Sequence, residues 1–136
     1  MISADEALKR LQDGNKRFVA GIRGNKKAHI TSIPENKDRQ NPFAIILGCS
    51  DSRVPAEIVF DQGMGGLFVI RVAGNIVAPS QLGSIEFAVE NFGTQSVIVL
   101  GHSSCGAVTA TLDDIKQPRT QVHSNVFLLL IESAQQ

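Results

Sequence analysis

Three short apolar runs limit what this chain can become more than any other feature. They read FAIILG (43–48), LFVIRV (67–72) and SVIVLG (96–101), with hardly a polar residue inside them. Runs this short and this continuous suit strands buried on both faces, as in a parallel sheet. A sheet wetted on one side would alternate apolar with polar residues instead. Between the second and third runs lies PSQLGSIEFAVENFG (79–93), with Ile85, Ala88, Val89 and Phe92 on one helical face. Ser80 is placed to cap that helix and Gly93 to stop it. After the third run, HSSCGAVTATLDDIK (102–116) reads as helical from Cys105 or Gly106. Strand and helix in alternation predict an α/β fold, a mostly parallel sheet flanked by helices and joined by right-handed crossovers.

At 136 residues there is enough chain for one core and not for two. Ahead of the sheet, Ser3-Ala4-Asp5-Glu6 forms a capping box. The helix it opens carries Leu8, Leu11 and Phe18 at helical spacing and should reach Phe18 or Val19 before Gly21. Residues 21–42, rich in Lys, Asn and Gln and holding Pro34 and Pro42, read as an irregular extended arm. The expected division is a helical arm over 1–42 and an α/β core over 43–136, in a single domain. The last stretch, VHSNVFLLLIESAQQ, reads as a helix whose 127–131 run is apolar all round and therefore needs cover.

Charge is balanced overall but not along the chain. Residues 1–40 carry nine Lys and Arg against five Asp and Glu, and the remainder four against eight, so the arm is +4 and the body −4. Without aromatic interleaving, the basic arm reads as a segment lying across acidic protein surface, not as a nucleic-acid site. No run approaches the roughly 18 apolar residues of a membrane span. The start, MISADEALKRLQDGNKRF, lacks the layout of a signal peptide. The expectation is a cytoplasmic protein whose two cysteines, Cys49 and Cys105, stay reduced and serve metal binding or catalysis.

The chemistry gathers just past the strands. Cys49 follows the first run, and CSDSR (49–53) sets a thiol, an acid and a guanidinium within five residues. His102 follows the third run, and Cys105 comes three residues later. In parallel sheets ligands collect beyond the carboxyl ends of the strands, so neighbouring first and third strands would bring Cys49, His102 and Cys105 together. Two thiolates and an imidazole suit zinc, and three protein ligands leave a fourth position, as in catalytic zinc sites. Asp51 is the nearest competitor for that position, and Arg53 can hold it in a fork of hydrogen bonds. Other cysteine chemistries fail on spacing: no Cys-x-x-Cys is present, and Cys49 and Arg53 stand too close for a thiol phosphatase loop. GMGG (63–66) precedes a strand, not a helix, and reads as a turn. His29 and His123 lack any comparable setting and read as surface residues.

CSDSRVPAEIVFDQGMGGLFVIRVAGNIV, GSIEFAVENFG and VIVLGHSSCGAV together resemble the β-class carbonic anhydrases of bacteria, over most of the chain from Ser3 to about Val108. The resemblance implies zinc held by Cys49, His102 and Cys105, with Asp51 and Arg53 as the catalytic pair. In a closed form Asp51 would itself take the fourth site. It further implies substrate contacts from Gln40, Phe68 and Gly106, and from Phe87 in place of a tyrosine. Ile46 stands where the bicarbonate-regulated members carry a tryptophan, so that inhibitory site is expected to be absent or altered. The implied reaction is reversible hydration of carbon dioxide to bicarbonate by zinc-hydroxide attack, with Asp51 orienting the zinc water. The implied partner is a second copy of the chain, in a dimer or tetramer. Hydrolysis of carbon disulfide or carbonyl sulfide on the same site, and a non-catalytic zinc module, are the rival readings. Against the family pattern the tail reads as shortened, lacking the last edge strand of the sheet.

Overall fold

The computed structural model describes residues 2–21 and 40–117. Most of the expected irregular stretch 21–42, the expected tail helix with its 127–131 run, His29, His123 and the proposed loss of an edge strand all lie outside the described residues.

Helix α1 (Ala4–Val19) begins as its capping box predicts, with Ser3 Oγ accepting from the Glu6 N–H at 3.2 Å. Its buried face differs from the expected one. Ala7, Leu11 and Gly14 are buried, while Leu8 and Phe18 are exposed. Small residues win because the helix lies against backbone: a Cβ on Gly14 would stand 1.7 Å from the Phe60 carbonyl oxygen. Polar side chains fix the contact at its edges. Asn15 Nδ2 donates to the Val59 carbonyl at 3.0 Å, Arg17 Nε to Asp61 Oδ2 at 2.6 Å, and Arg10 Nε to Gln62 Oε1 at 3.1 Å. The Arg10 guanidinium also lies 4.2 Å above the centre of the Phe43 ring.

The core is a parallel sheet of three strands among the described residues, β1 (Ala44–Gly48), β2 (Leu67–Arg71) and β3 (Val97–Leu100), ordered β2-β1-β3. A short helix α2 (Ala56–Val59) links β1 to β2, and α3 (Pro79–Phe92) carries the chain from β2 across to β3. A 3-10 turn, Ala73–Asn75, follows β2, and α4 (Gly106–Lys116) follows β3. GMGG is the expected turn, with Gly66 N–H bonded to the Gly63 carbonyl and Gly65 at φ 80°.

One face of the sheet carries Ala44, Ile46, Leu67, Val69, Ile98 and Leu100 and packs on Ala7 and Leu11 of α1 and Ala56 of α2. The other face carries Ile45, Leu47 and Phe68, with Phe68 against the rings of Phe87 and Phe92 from α3. Only β1 is buried throughout, and the full burial of Ile45, Ile46 and Leu47 is worth about 1.5–3 kcal/mol each. The expectation of three doubly buried strands is corrected here. β2 is half-buried from Phe68 to Ile70 and exposed at Arg71, and β3 leaves Val97 at 43% and Val99 at 58% exposure. β1 is covered because it is central, with a strand on each side. β2 and β3 flank it, and the α3 face of β3 is left uncovered among the described residues.

Helix α3 starts two residues earlier than Ser80 as its N-cap would set it. Pro79 occupies the first turn and Ala78 is the N-cap, without a side-chain bond, because proline needs no partner for a missing N–H. Ala88 is buried as expected but Val89 is exposed. Gly93 ends the helix in the left-handed region, at φ 62°.

Replacing Gly14 by Ala would ordinarily favour a helix. Here the new methyl group meets the Phe60 carbonyl, so we expect Gly14→Ala to destabilise the fold by about 1–3 kcal/mol in urea unfolding. A stabilised variant would contradict this packing.

Candidate metal centre

β1 and β3 are hydrogen-bonded neighbours, with Gly48 beside Leu100. Because the strands are parallel, the residues that follow them emerge at the same edge of the sheet. Cys49 leaves β1 there, His102 leaves β3, and Ser103-Ser104 turn the chain into Cys105, the N-cap of α4. Ser104 takes φ 56° to make that turn.

The ligand atoms of Cys49, His102 and Cys105 all lie within 4.8 Å of one another. Both cysteines are buried and free, with their sulfurs 3.8 Å apart. Two sulfurs bound at about 2.3 Å to one tetrahedral ion would be separated by about 3.8 Å, so the thiols already stand at the spacing zinc requires. His102 Nδ1 lies 3.0 Å from the Ser103 carbonyl oxygen. A carbonyl only accepts, so the ring proton sits on Nδ1 and the lone pair falls on Nε2. Nε2 is buried without a hydrogen-bond partner, a costly state for a polar atom and the expected one for a metal ligand. Donor types, sulfur spacing and the unpartnered nitrogen all fit zinc.

Asp51 stands beside this group, its Oδ2 3.9 Å from His102 Nε2. Arg53 grips the carboxylate as a fork, Nε to Oδ1 at 2.9 Å and Nη2 to Oδ2 at 2.7 Å, and adds its own backbone N–H to Oδ1 at 2.9 Å. Arg53 Nη2 also donates to the Ser104 carbonyl at 3.2 Å, which ties the loop after β1 to the loop after β3. These hydrogen bonds from Arg53 hold the Asp51 carboxyl well below the usual carboxylate range, and Asp51 holds Arg53 charged.

Burial pushes the Cys49 thiol up, but His102 and the backbone N–H groups of Asp51 and Gly74 stabilise its thiolate and bring it to about 7. The Cys49 thiolate beside His102 raises the imidazole above its ordinary value, against the opposing effect of burial.

The remaining expected site residues are spread more widely. Phe68 and Phe87 meet, ring centres 6.3 Å apart, and Phe87 is half exposed. Gly106, exposed, is the first residue of α4, next to Cys105. Gln40 is exposed ahead of β1. Ile46 lies fully buried in the core. Two contacts escaped the sequence reading. The Gly74 N–H reaches Cys49 Sγ at 3.3 Å from a residue at φ 72°, and Arg71 bonds the carbonyls of Cys49 and Asp51. The available signal for the second was a single charge closing the otherwise apolar run LFVIRV.

Among the described residues no helix is long and apolar enough to cross a membrane. The family profile described as carbonic anhydrase matches residues 44–136. A carbonic anhydrase of Mycolicibacterium smegmatis is 48% identical over 111 residues, 82% of this chain and 54% of that protein. Carbonic anhydrase 2 of Mycobacterium tuberculosis is 48% identical over 106 residues, 78% of this chain and 51% of its own length. The chain thus spans about half the length of these curated relatives. Among solved structures, a β-carbonic anhydrase of the ascomycete Sordaria macrospora, described as tetrameric, superposes with a TM-score of 0.60 at 29% identity, covering 69% of this chain and 47% of that one. A profile match across the whole sheet and relatives at nearly half identity agree with the chemistry of the strand ends: this chain belongs to the carbonic anhydrase family, in its β class.

Proposed function

We propose that the chain catalyses the zinc-dependent, reversible hydration of carbon dioxide to bicarbonate and a proton. The observation that carries this reading is the convergence of Cys49, His102 and Cys105 within 4.8 Å, beside a carboxylate locked by Arg53. When bound there, zinc supplies Lewis acidity that makes water a nucleophile near neutral pH.

The chain's own residues do the rest. Asp51, kept ionised by Arg53, can only accept hydrogen bonds, so it holds the proton of the attacking oxygen and turns a lone pair toward the carbon. The paired side-chain hydrogen bonds from Arg53 stop the carboxylate from rotating, and its further hydrogen bond to the Ser104 carbonyl keeps it in register with His102. Phe68 and Phe87 offer apolar surface to a linear, nonpolar substrate. Gly106 offers a backbone N–H from the first turn of α4, where helical donors are unpaired, and Gln40 a polar contact. The released proton passes to buffer. Self-association as a dimer or tetramer belongs to the same proposal, supported by the exposed Val97 and Val99 and by the tetrameric Sordaria relative. So does a cytoplasmic setting, in which both free thiols stay reduced and available to metal.

Asp51→Ala and Arg53→Ala should each lower kcat/KM for carbon dioxide about a hundredfold in stopped-flow assays, with zinc retained at one equivalent. Turnover unaffected by both changes would remove the pair from the mechanism. A zinc-loaded protein without turnover would be a binding module, and preferential cleavage of carbon disulfide or carbonyl sulfide would move the substrate.

Zinc affinity should fall on acidification. Proton and metal compete for the same atoms, so binding weakens as the pH drops through about 7 at Cys49 and through the raised range of His102. Asp51 stays ionised throughout and adds nothing. Chelator competition between about pH 8 and 6 should show about a tenfold loss per pH unit for each proton displaced, and a flat profile would contradict the ligand set. Hydration itself should accelerate from about pH 6.5 to 9, as two thiolate ligands leave zinc a weaker acid than three imidazoles would.

A further inference from the structure

Arg71 is the last residue of β2 and pairs with Gly48. Beyond that pair the main-chain ladder runs on for two more bonds, Val72 N–H to the Gly48 carbonyl at 3.1 Å and Ser50 N–H to the Val72 carbonyl at 3.2 Å. There the ladder stops. The next carbonyls of the loop are bonded by the Arg71 side chain, Nε to Cys49 at 2.9 Å and Nη2 to Asp51 at 2.6 Å. The ladder alone fixes Gly48 and Ser50, so what the guanidinium adds falls on the two residues that carry the ligand and the acid. The Asp51 carbonyl also accepts from the Val54 N–H at 3.2 Å, and its carboxylate is held by Arg53. Asp51 is therefore gripped by a different arginine at each end.

The geometry points to Arg71 as a positioning residue for the reaction: its fork clamps the main chain at Cys49 and Asp51 and thereby sets the direction in which the Asp51 carboxylate meets Arg53 and His102. The inference rests on the function proposed above. Two parallel donors are needed, since the carbonyls belong to residues two apart. A guanidinium presents such a pair in one rigid plane, whereas an ammonium is a single point on a flexible stem.

The test is a double-mutant cycle in the zinc-loaded full chain, comparing wild type, Arg71→Met, Asp51→Ala and the double variant. Arg71→Met should lower kcat/KM for carbon dioxide about ten- to a hundredfold with zinc retained, as expected for a misplaced acid. On the Asp51→Ala background the same change should cost less than about twofold. Equal losses on both backgrounds would overturn the inference, as would full activity in Arg71→Met. Arg71→Lys should not restore the rate, and full rescue by lysine would overturn the need for two donors. A second readout needs no substrate. Hydrogen exchange of the Arg53 Nε–H, protected by its bond to Asp51 Oδ1, should speed up at least about tenfold in Arg71→Met. Unchanged protection would overturn the clamp. This readout also separates the two proposals, because a wild-type chain inactive toward carbon dioxide would sink the functional reading while the exchange rates still decide the role of Arg71. Should Arg71→Met fail to fold, Arg71→Gln keeps one donor and should give intermediate losses in both readouts. Failure of both variants to fold would overturn the inference in favour of a purely structural arginine.

Discussion

The parallel pairing of β1 with β3 turns two segments separated by 56 positions into one site. Parallel strands send their carboxyl ends the same way, so the residue after each strand is delivered to a common edge. Antiparallel pairing of the same strands would have put Cys49 and His102 at opposite ends of the sheet. The central strand, fully buried, gives that edge a rigid base, and the short turn through Ser103 and Ser104 then has only to bring Cys105 round. The bond from Arg53 to the Ser104 carbonyl joins the two loops directly, so the spacing of the donors does not depend on the metal alone.

Such a concentration of acidic groups needs compensation. Two thiols and a carboxylate within a few ångströms would repel one another once ionised, and burial of the sulfurs makes the charged forms costlier still. The structure answers with groups that favour the anions: the Arg53 fork on Asp51, the His102 ring beside Cys49, and the Gly74 N–H on the Cys49 sulfur. The result is a site in which Arg53 keeps Asp51 charged and the Cys49 thiol is drawn down to about 7.

Much of this could be read from residues alone. The capping box at Ser3, the three apolar runs, the Gly93 stop and the start of α4 at Gly106 are local features, governed by side chains a few positions apart. The pairing of Asp51 with Arg53 is equally local, since an acid and a guanidinium two residues apart meet wherever the loop goes. The exposed α3 face of β3 was not legible, because an apolar run looks the same at the centre and at the edge of a sheet. Nor was the buried face of α1, where close approach to the Phe60 carbonyl favours Ala7 and Gly14 over the larger Leu8 and Phe18. Ser80 failed as a cap because the proline before it starts the helix first.

What the sequence by itself determined was the chemistry on offer: two thiols, one imidazole and an acid–guanidinium pair, each just past a strand. The strand order β2-β1-β3, the 3.8 Å between sulfurs and the hold of Arg71 on the Cys49 and Asp51 carbonyls were decided only in three dimensions. The reason is range. Helix caps and adjacent ion pairs depend on neighbours along the chain, whereas coordination geometry depends on which distant strands share hydrogen bonds, and that is settled by the packing of the whole core.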